Sequence, residues 1–99
     1  MPSLILTRRV GESIRLMIDG QAEYLDVLNI TGGTCTLRLI NLGKPLDPKV
    51  ERVRHTDSMQ IAKGISVRVA GLSKGTVKLN FQAPKEVKIL RTELIKEAL

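Results

Sequence analysis

The sequence predicts a mainly β fold, a small antiparallel β-sandwich of two meanders closed by a short C-terminal helix. Apolar and polar residues alternate at period two over most of the chain, as half-buried strands require. Turn dipeptides, most of them glycine-bearing, punctuate the alternating runs. The pattern also repeats: a shift of about 42 residues lays Leu25, Val27, Ile30, Gly33, Leu37 and Leu39 over Val67, Val69, Leu72, Gly75, Leu79 and Phe81. Met17 falls over Met59, to within a residue, in the same alignment. Each half then holds one three-stranded meander with one apolar face, and two such faces bury each other best by packing together.

The first strand has Leu4, Leu6 and Arg8 on one face and Ile5, Thr7 and Arg9 on the other. Val10-Gly11-Glu12 turns into a second strand, Ile14 to Ile18, and Asp19-Gly20 is a hairpin dipeptide. Leu25, Val27 and Ile30 mark the third strand, Gly32-Gly33 the next turn, and Cys35, Leu37 and Leu39 the fourth. The second half runs through Met59 to Ile61, then Ile65, Val67 and Val69, then Val77, Leu79 and Phe81. After Ala83-Pro84 a closing strand spans Val87 to Leu90. Thr92 to Leu99 reads as a helix, with Thr92 as N-cap and Leu94/Ala98 and Ile95/Leu99 stacked at i,i+4. Between the halves lies a joint, 44–56, containing two prolines; Val50 to His55 within it reads equally as an edge strand or a solvated linker. Leu37, Leu39, Val67, Val69, Leu79 and Phe81 are expected between the two sheets.

The 99 residues suffice for one domain, 1–99, with no room for a second core. No apolar run approaches the length of a membrane span, and the start lacks a signal-peptide pattern, so the expected compartment is cytoplasmic. The lone Cys35 alternates with Leu37 and Leu39, as a buried structural thiol does. His55 is the only histidine, the carboxylates are scattered, and the glycine turns lack the Lys-Ser/Thr of a phosphate loop. No enzyme activity, metal, cofactor or small-molecule substrate is expected.

Charge is more informative. The net charge is +6, and residues 50–99 carry 10 Lys/Arg against 5 Asp/Glu, while residues 1–49 carry 6 against 5. Such an excess favours a polyanionic partner. Arg8-Arg9 ends the first strand, and Lys85, Lys88 and Arg91 punctuate the last. Two readings apply: charges that guard an edge strand, or a contact line in which arginine grips phosphate and guanine edges. With only Tyr24 and Phe81 as aromatics, ring-stacking platforms for bases are excluded.

At the same residues the sequence resembles a known family. LILTRRVGES at 4–13 and APKEVKILRTEL at 83–94 are similar to the opening and closing segments of the carbon storage regulator (CsrA/RsmA) family, bacterial post-transcriptional regulators that bind GGA in mRNA hairpin loops. An ordinary member is a shorter chain of five strands and a helix. Here residues 4–43 resemble strands one to four, and 57–99 resemble strands two to five plus the helix. Family members are intertwined homodimers in which strands one and five flank the partner's meander. The resemblance therefore implies a dimer condensed into one chain: a monomer acting as a pseudo-dimer, with one complete RNA site where strand one meets strand five.

Carried over by motif, the RNA-binding residues are Leu6, Thr7, Arg8 and Arg9 in the first strand and Ala83, Pro84, Val87, Ile89 and Arg91 in the closing segment. Leu90 stands where the family usually has histidine, which removes a polar contact. The implied function is recognition of single-stranded or hairpin-loop RNA carrying GGA, with effects on translation or mRNA decay. The rival is a degenerate member that serves as a protein-interaction module without RNA regulation.

Overall fold

The computed structural model describes residues 3–41, 47–84 and 87–91. Nine strands form there: β1 (Ser3–Arg9), β2 (Ser13–Ile18), β3 (Gln21–Thr31), β4 (Thr34–Asn41), β5 (Lys49–Arg54), β6 (Ser58–Ala62), β7 (Ile65–Ser73), β8 (Thr76–Gln82) and β9 (Lys88–Arg91). They make two antiparallel sheets, one in the order β1-β8-β7-β6 and one in the order β5-β4-β3-β2-β9. Both predicted meanders, β2-β3-β4 and β6-β7-β8, are present, one per sheet. The segment with two readings, Val50 to His55, is a strand over most of its length, because β5 pairs along β4 from Thr34↔Arg54 to Leu39↔Lys49. The helix expected over Thr92 to Leu99 lies outside the described residues.

Alternation builds the core. Leu6, Val67, Val69, Val77, Leu79 and Phe81 of one sheet meet Ile14, Leu16, Leu25, Val27, Cys35, Leu37, Leu39 and Val53 of the other in one buried cluster. All six residues expected between the sheets are in it. Burial raises the Cys35 thiol to about 11, which keeps it protonated and unreactive at neutral pH. The Asp19-Gly20 and Gly32-Gly33 turns both hold two consecutive residues at positive φ, 51° and 77° in the first and 57° and 80° in the second. That is the turn geometry whose twist matches a tight antiparallel hairpin.

The connections repeat as well as the strands. The β1→β2 and β5→β6 turns both carry the chain from one sheet to the other. In the first, the Gly11 N–H donates to the Val27 carbonyl (2.8 Å), Glu12 N–H to the Arg9 carbonyl (3.0 Å) and Val27 N–H to the Glu12 carbonyl (3.0 Å). In the second, Thr56 donates to Val69 (2.8 Å), Asp57 to Arg54 (3.0 Å) and Val69 to Asp57 (3.0 Å). The turn residue is in the left-handed region both times, Gly11 at φ 91° and Thr56 at φ 74°. A β-bulge follows in both β3 and β7, at Val27/Asn29 and Val69/Gly71. β5 thus stands to β6 as β1 stands to β2.

This corrects one alignment. Ser13 and Ile14 correspond to Ser58 and Met59 through the shared turn, so Met59 matches Ile14 and not Met17. The β6–β7 hairpin is three residues shorter than the β2–β3 hairpin up to the matched valines, which slides the repeat from a shift of 45 at the turn to 42 at Val27/Val69. Ile14 and Met59 are both fully buried, whereas Met17 is only half-buried.

Flanking strands cross between halves. β1 opens the first half and pairs with β8 of the second; β5 opens the second half and pairs with β4 of the first. β9 closes the second half and pairs with β2 of the first, in the register Ile14↔Arg91 and Leu16↔Ile89. Among the described residues nothing pairs along the outer edge of β6. Side chains take acceptors at that strand: Lys49 Nζ donates to the Gln60 carbonyl (2.9 Å) and Gln60 Nε2 to the Ala62 carbonyl (2.5 Å). Such capping blunts an edge against pairing with another chain.

One acid sits at an inner position. Glu23 of β3, opposite Leu16 and Asn41, is 8% exposed, and desolvation raises its pKa above the ordinary value of 4.5. The native state then binds this proton more tightly than the unfolded chain. Its contribution to stability falls as pH rises from about 4.5 through the native pKa. Glu23→Gln should therefore raise the melting temperature at neutral pH, with the gain shrinking as pH is lowered through the acid range in thermal melts. Leu79→Ala, at a fully buried position, should cost roughly 2–5 kcal/mol in denaturant titrations.

Candidate nucleic-acid interface

The short β5→β6 turn places those two edges on one side of the sandwich, so the opposite edges, β1 and β9, share the other side. Among the described residues β1 pairs with a strand on one flank only, and the alternate N–H and C=O groups of its other flank face outward. The β8→β9 connection crosses between the sheets on this same side. In it the Val87 N–H donates to the Pro84 carbonyl (3.1 Å), closing a turn. All nine sequence-predicted contact positions lie on these elements, although they come from opposite ends of the chain.

The nine differ sharply in exposure. Thr7 and Arg9 are exposed on the outer face of β1, in register with Lys78 and Thr76 of β8. Leu6 is buried in the core opposite Leu79. Ala83 is 5% exposed, Pro84 is half-buried, and Val87 and Ile89 are half-buried against the core. These apolar residues lie in the core or pack against it, and they cannot offer charge. Arg91 holds the register position opposite Ile14.

Arg8 differs from its neighbours Thr7 and Arg9 in burial. It points inward beside Leu6 and is only 4% exposed. Its Nε donates to the Thr7 carbonyl (2.7 Å) and lies 3.9 Å from Glu12 Oε1. Glu12 Oε1 in turn accepts from the Arg9 N–H (2.6 Å). The guanidinium therefore braces the β1→β2 turn and the end of β1. Its bond to the Thr7 carbonyl ties the side chain to the end of β1, beside the exposed Thr7 and Arg9.

Reasoning from sequence passed over Lys78. It is exposed beside Thr7 on the outer face, and its position in an alternating strand was the available signal. With Arg9 it puts two cations on the outer face of the four-stranded sheet, while Lys88, exposed at the position opposite Met17, faces outward from the other sheet. Exposed cations of this kind attract phosphates. Among the described residues no three His, Cys, Asp or Glu side chains group as metal ligands would, and no helix is long and apolar enough to cross a membrane.

Burial and exposure separate the two adjacent arginines by experiment. Arg8→Ala should lower stability by about 1–3 kcal/mol, because it strips a buried donor from the turn. Arg9→Ala should leave stability within about 0.5 kcal/mol of the parent. Parallel denaturant titrations of the two variants check the difference.

The global regulator protein family CsrA matches residues 52–99. The translational regulator CsrA of Clostridium novyi (strain NT) is 44% identical over 41 residues, covering 41% of this chain and 57% of that protein. The translational regulator CsrA of Alkaliphilus metalliredigens (strain QYMF) is 36% identical over 44 residues, covering 44% of this chain and 59% of that protein. The chain thus spans somewhat over half the length of the curated relatives it matches. No solved structure matches it. Residues 52–99 are thus similar to the CsrA family of global regulator proteins.

Proposed function

We propose that this protein is a post-transcriptional regulator that binds GGA in single-stranded or hairpin-loop mRNA along the β1 and β9 edges. The observation that carries this reading is that the strands from opposite ends of the chain, β1 and β9, are each the edge strand of one of the two sheets. There β1 brings an edge with Thr7 and Arg9 exposed, and Ala83, Pro84, Val87 and Ile89 bring buried or half-buried apolar side chains. Cations supply affinity through phosphates, while backbone groups and an arginine at a base edge supply discrimination. Arg91 is the residue assigned to that discrimination. Two relatives matching 41% and 44% of the chain carry the name translational regulator, which supports the same class of function.

The protein acts as a monomeric pseudo-dimer with one such site. Each half closes the other's sheet within a single chain, so the halves meet at an effective concentration on the order of millimolar or more. That exceeds ordinary protein concentrations and disfavours exchange with a second copy. The single chain then forgoes the avidity that two linked sites give on an RNA with two motifs.

A rival reading, a protein-interaction module without RNA regulation, draws on the buried Arg8 and on Leu90 in the closing strand. Titration with a GGA hairpin and a scrambled-loop control at two salt concentrations separates the two. Preference for GGA, with Arg91→Ala costing about 1–3 kcal/mol of binding at unchanged stability, is the expected result. Light scattering should give one protein per single-hairpin RNA and two independent proteins on a double-hairpin RNA. Equal affinity for GGA and scrambled loops favours the rival, and a stable protein dimer holding both hairpins overturns the monomer.

A further inference from the structure

We propose that β5 is a second RNA contact line, which grips the phosphates of a single-stranded segment flanking the bound loop and does not select bases. The inference rests on the RNA-binding reading of the β1–β9 side. The turn after β5 repeats the three backbone hydrogen bonds of the turn after β1. Alignment through that turn puts Arg54 at the place of Arg9, Arg52 at that of Thr7 and Val53 at that of Arg8. The exposure pattern follows: Val53 is buried at 4%, and Arg52 and Arg54 are exposed. The second copy has a valine in place of the buried guanidinium and an outward cation in place of Thr7.

Two further observations define what this strand can bind. On the outer face of the five-stranded sheet, Arg38 is committed to Asp26, with Nη2 at 2.8 Å and Nε at 3.0 Å from Oδ2. Arg52 and Arg54, one strand farther out, have no acidic partner among the described residues. They stand two residues apart on one strand face, roughly 6.8 Å at the rise of an extended strand. That spacing suits adjacent phosphates of an extended single strand. At the first site β9 lies on β2 and supplies the base-reading segment, but among the described residues no strand lies on β6. β5 therefore offers charge without a reading partner.

Geometry fixes the relation of the two lines. β5 and β9 are opposite edges of one sheet, four strand spacings apart, or roughly 19 Å. A few nucleotides of unpaired RNA leaving the loop or stem bridge that distance across the sheet. Arg52 and Arg54 at one end and the exposed Lys88 at the other then hold one RNA molecule, which raises affinity without a second motif.

Fluorescence anisotropy with the full chain and its Arg52→Ala/Arg54→Ala double variant tests this. The probes are a GGA hairpin, the same hairpin with an oligouridine tail on either its 5′ or its 3′ side, and a tailed hairpin with a scrambled loop. In the parent, at least one tail should tighten binding. The double variant should lose that gain, and its plot of log K against log salt on the tailed RNA should flatten by about 0.7 for each phosphate it no longer neutralises. Its affinity for the untailed hairpin and its melting temperature should match the parent's. No gain from either tail, a gain that persists in the double variant, or an equal loss on the untailed hairpin overturns the proposal. If the parent binds GGA and scrambled loops alike, the β1–β9 reading fails. A tail gain that disappears in the double variant would then still stand for β5.

Discussion

The structure depends on strands exchanged between its two halves. A three-stranded meander with one apolar face leaves two hydrogen-bonding edges and a sheet too narrow to cover a core. Here β1 closes the edge at β8, β5 the edge at β4 and β9 the edge at β2, and each comes from the half it does not cover. Neither half can complete its sheet alone. Folding, burial of the shared core and assembly of the β1–β9 side are consequently one event.

The exchange also explains how the site is made. Strands from the two ends of the chain reach the same side only because each has crossed to the other half's sheet. The turn after β1 then has to be rigid, since it directs the chain from one sheet into the next. Gly11 takes the left-handed conformation, three backbone hydrogen bonds lock it, and Glu12 and the buried Arg8 brace it from the side chains. In the second copy Thr56 takes the same conformation without glycine's freedom. The same three hydrogen bonds hold it there, which shows how strongly the surrounding sheets dictate this turn.

Duplication has not kept the two sides equal. One edge of the four-stranded sheet carries β1, whereas β6 at the other edge has its carbonyls at Gln60 and Ala62 engaged by side chains. Charge has redistributed in the same sense. Arg8 is internal to the first copy's turn, and its counterpart Val53 leaves the outward Arg52 and Arg54 as the charged groups of β5. One copy keeps two edges that meet, and the other keeps an edge with cations alone.

Much of this was legible in the residues themselves. Period-two alternation located the strands, the paired residues at Asp19-Gly20 and Gly32-Gly33 located the hairpins, and the repeat located both meanders, because these are local consequences of pleat and backbone sterics. The inward residues followed from the same alternation, including Arg8 on the face of Leu6. What alternation does not tell is which sheet a strand joins. Val50 to His55 has a strand's pattern whether or not a neighbour exists, and only the free edge of β4 decided it. Likewise an arginine on an inward face is legible, but its burial depends on the opposite sheet covering it and on Glu12 and the Thr7 carbonyl receiving its charge. Sequence by itself determined the elements and their faces, since those are set within a few residues. Tertiary structure decided the partners, the shared side of β1 and β9, and the different fates of Arg8 and Arg9, since those depend on contacts between residues far apart in the chain.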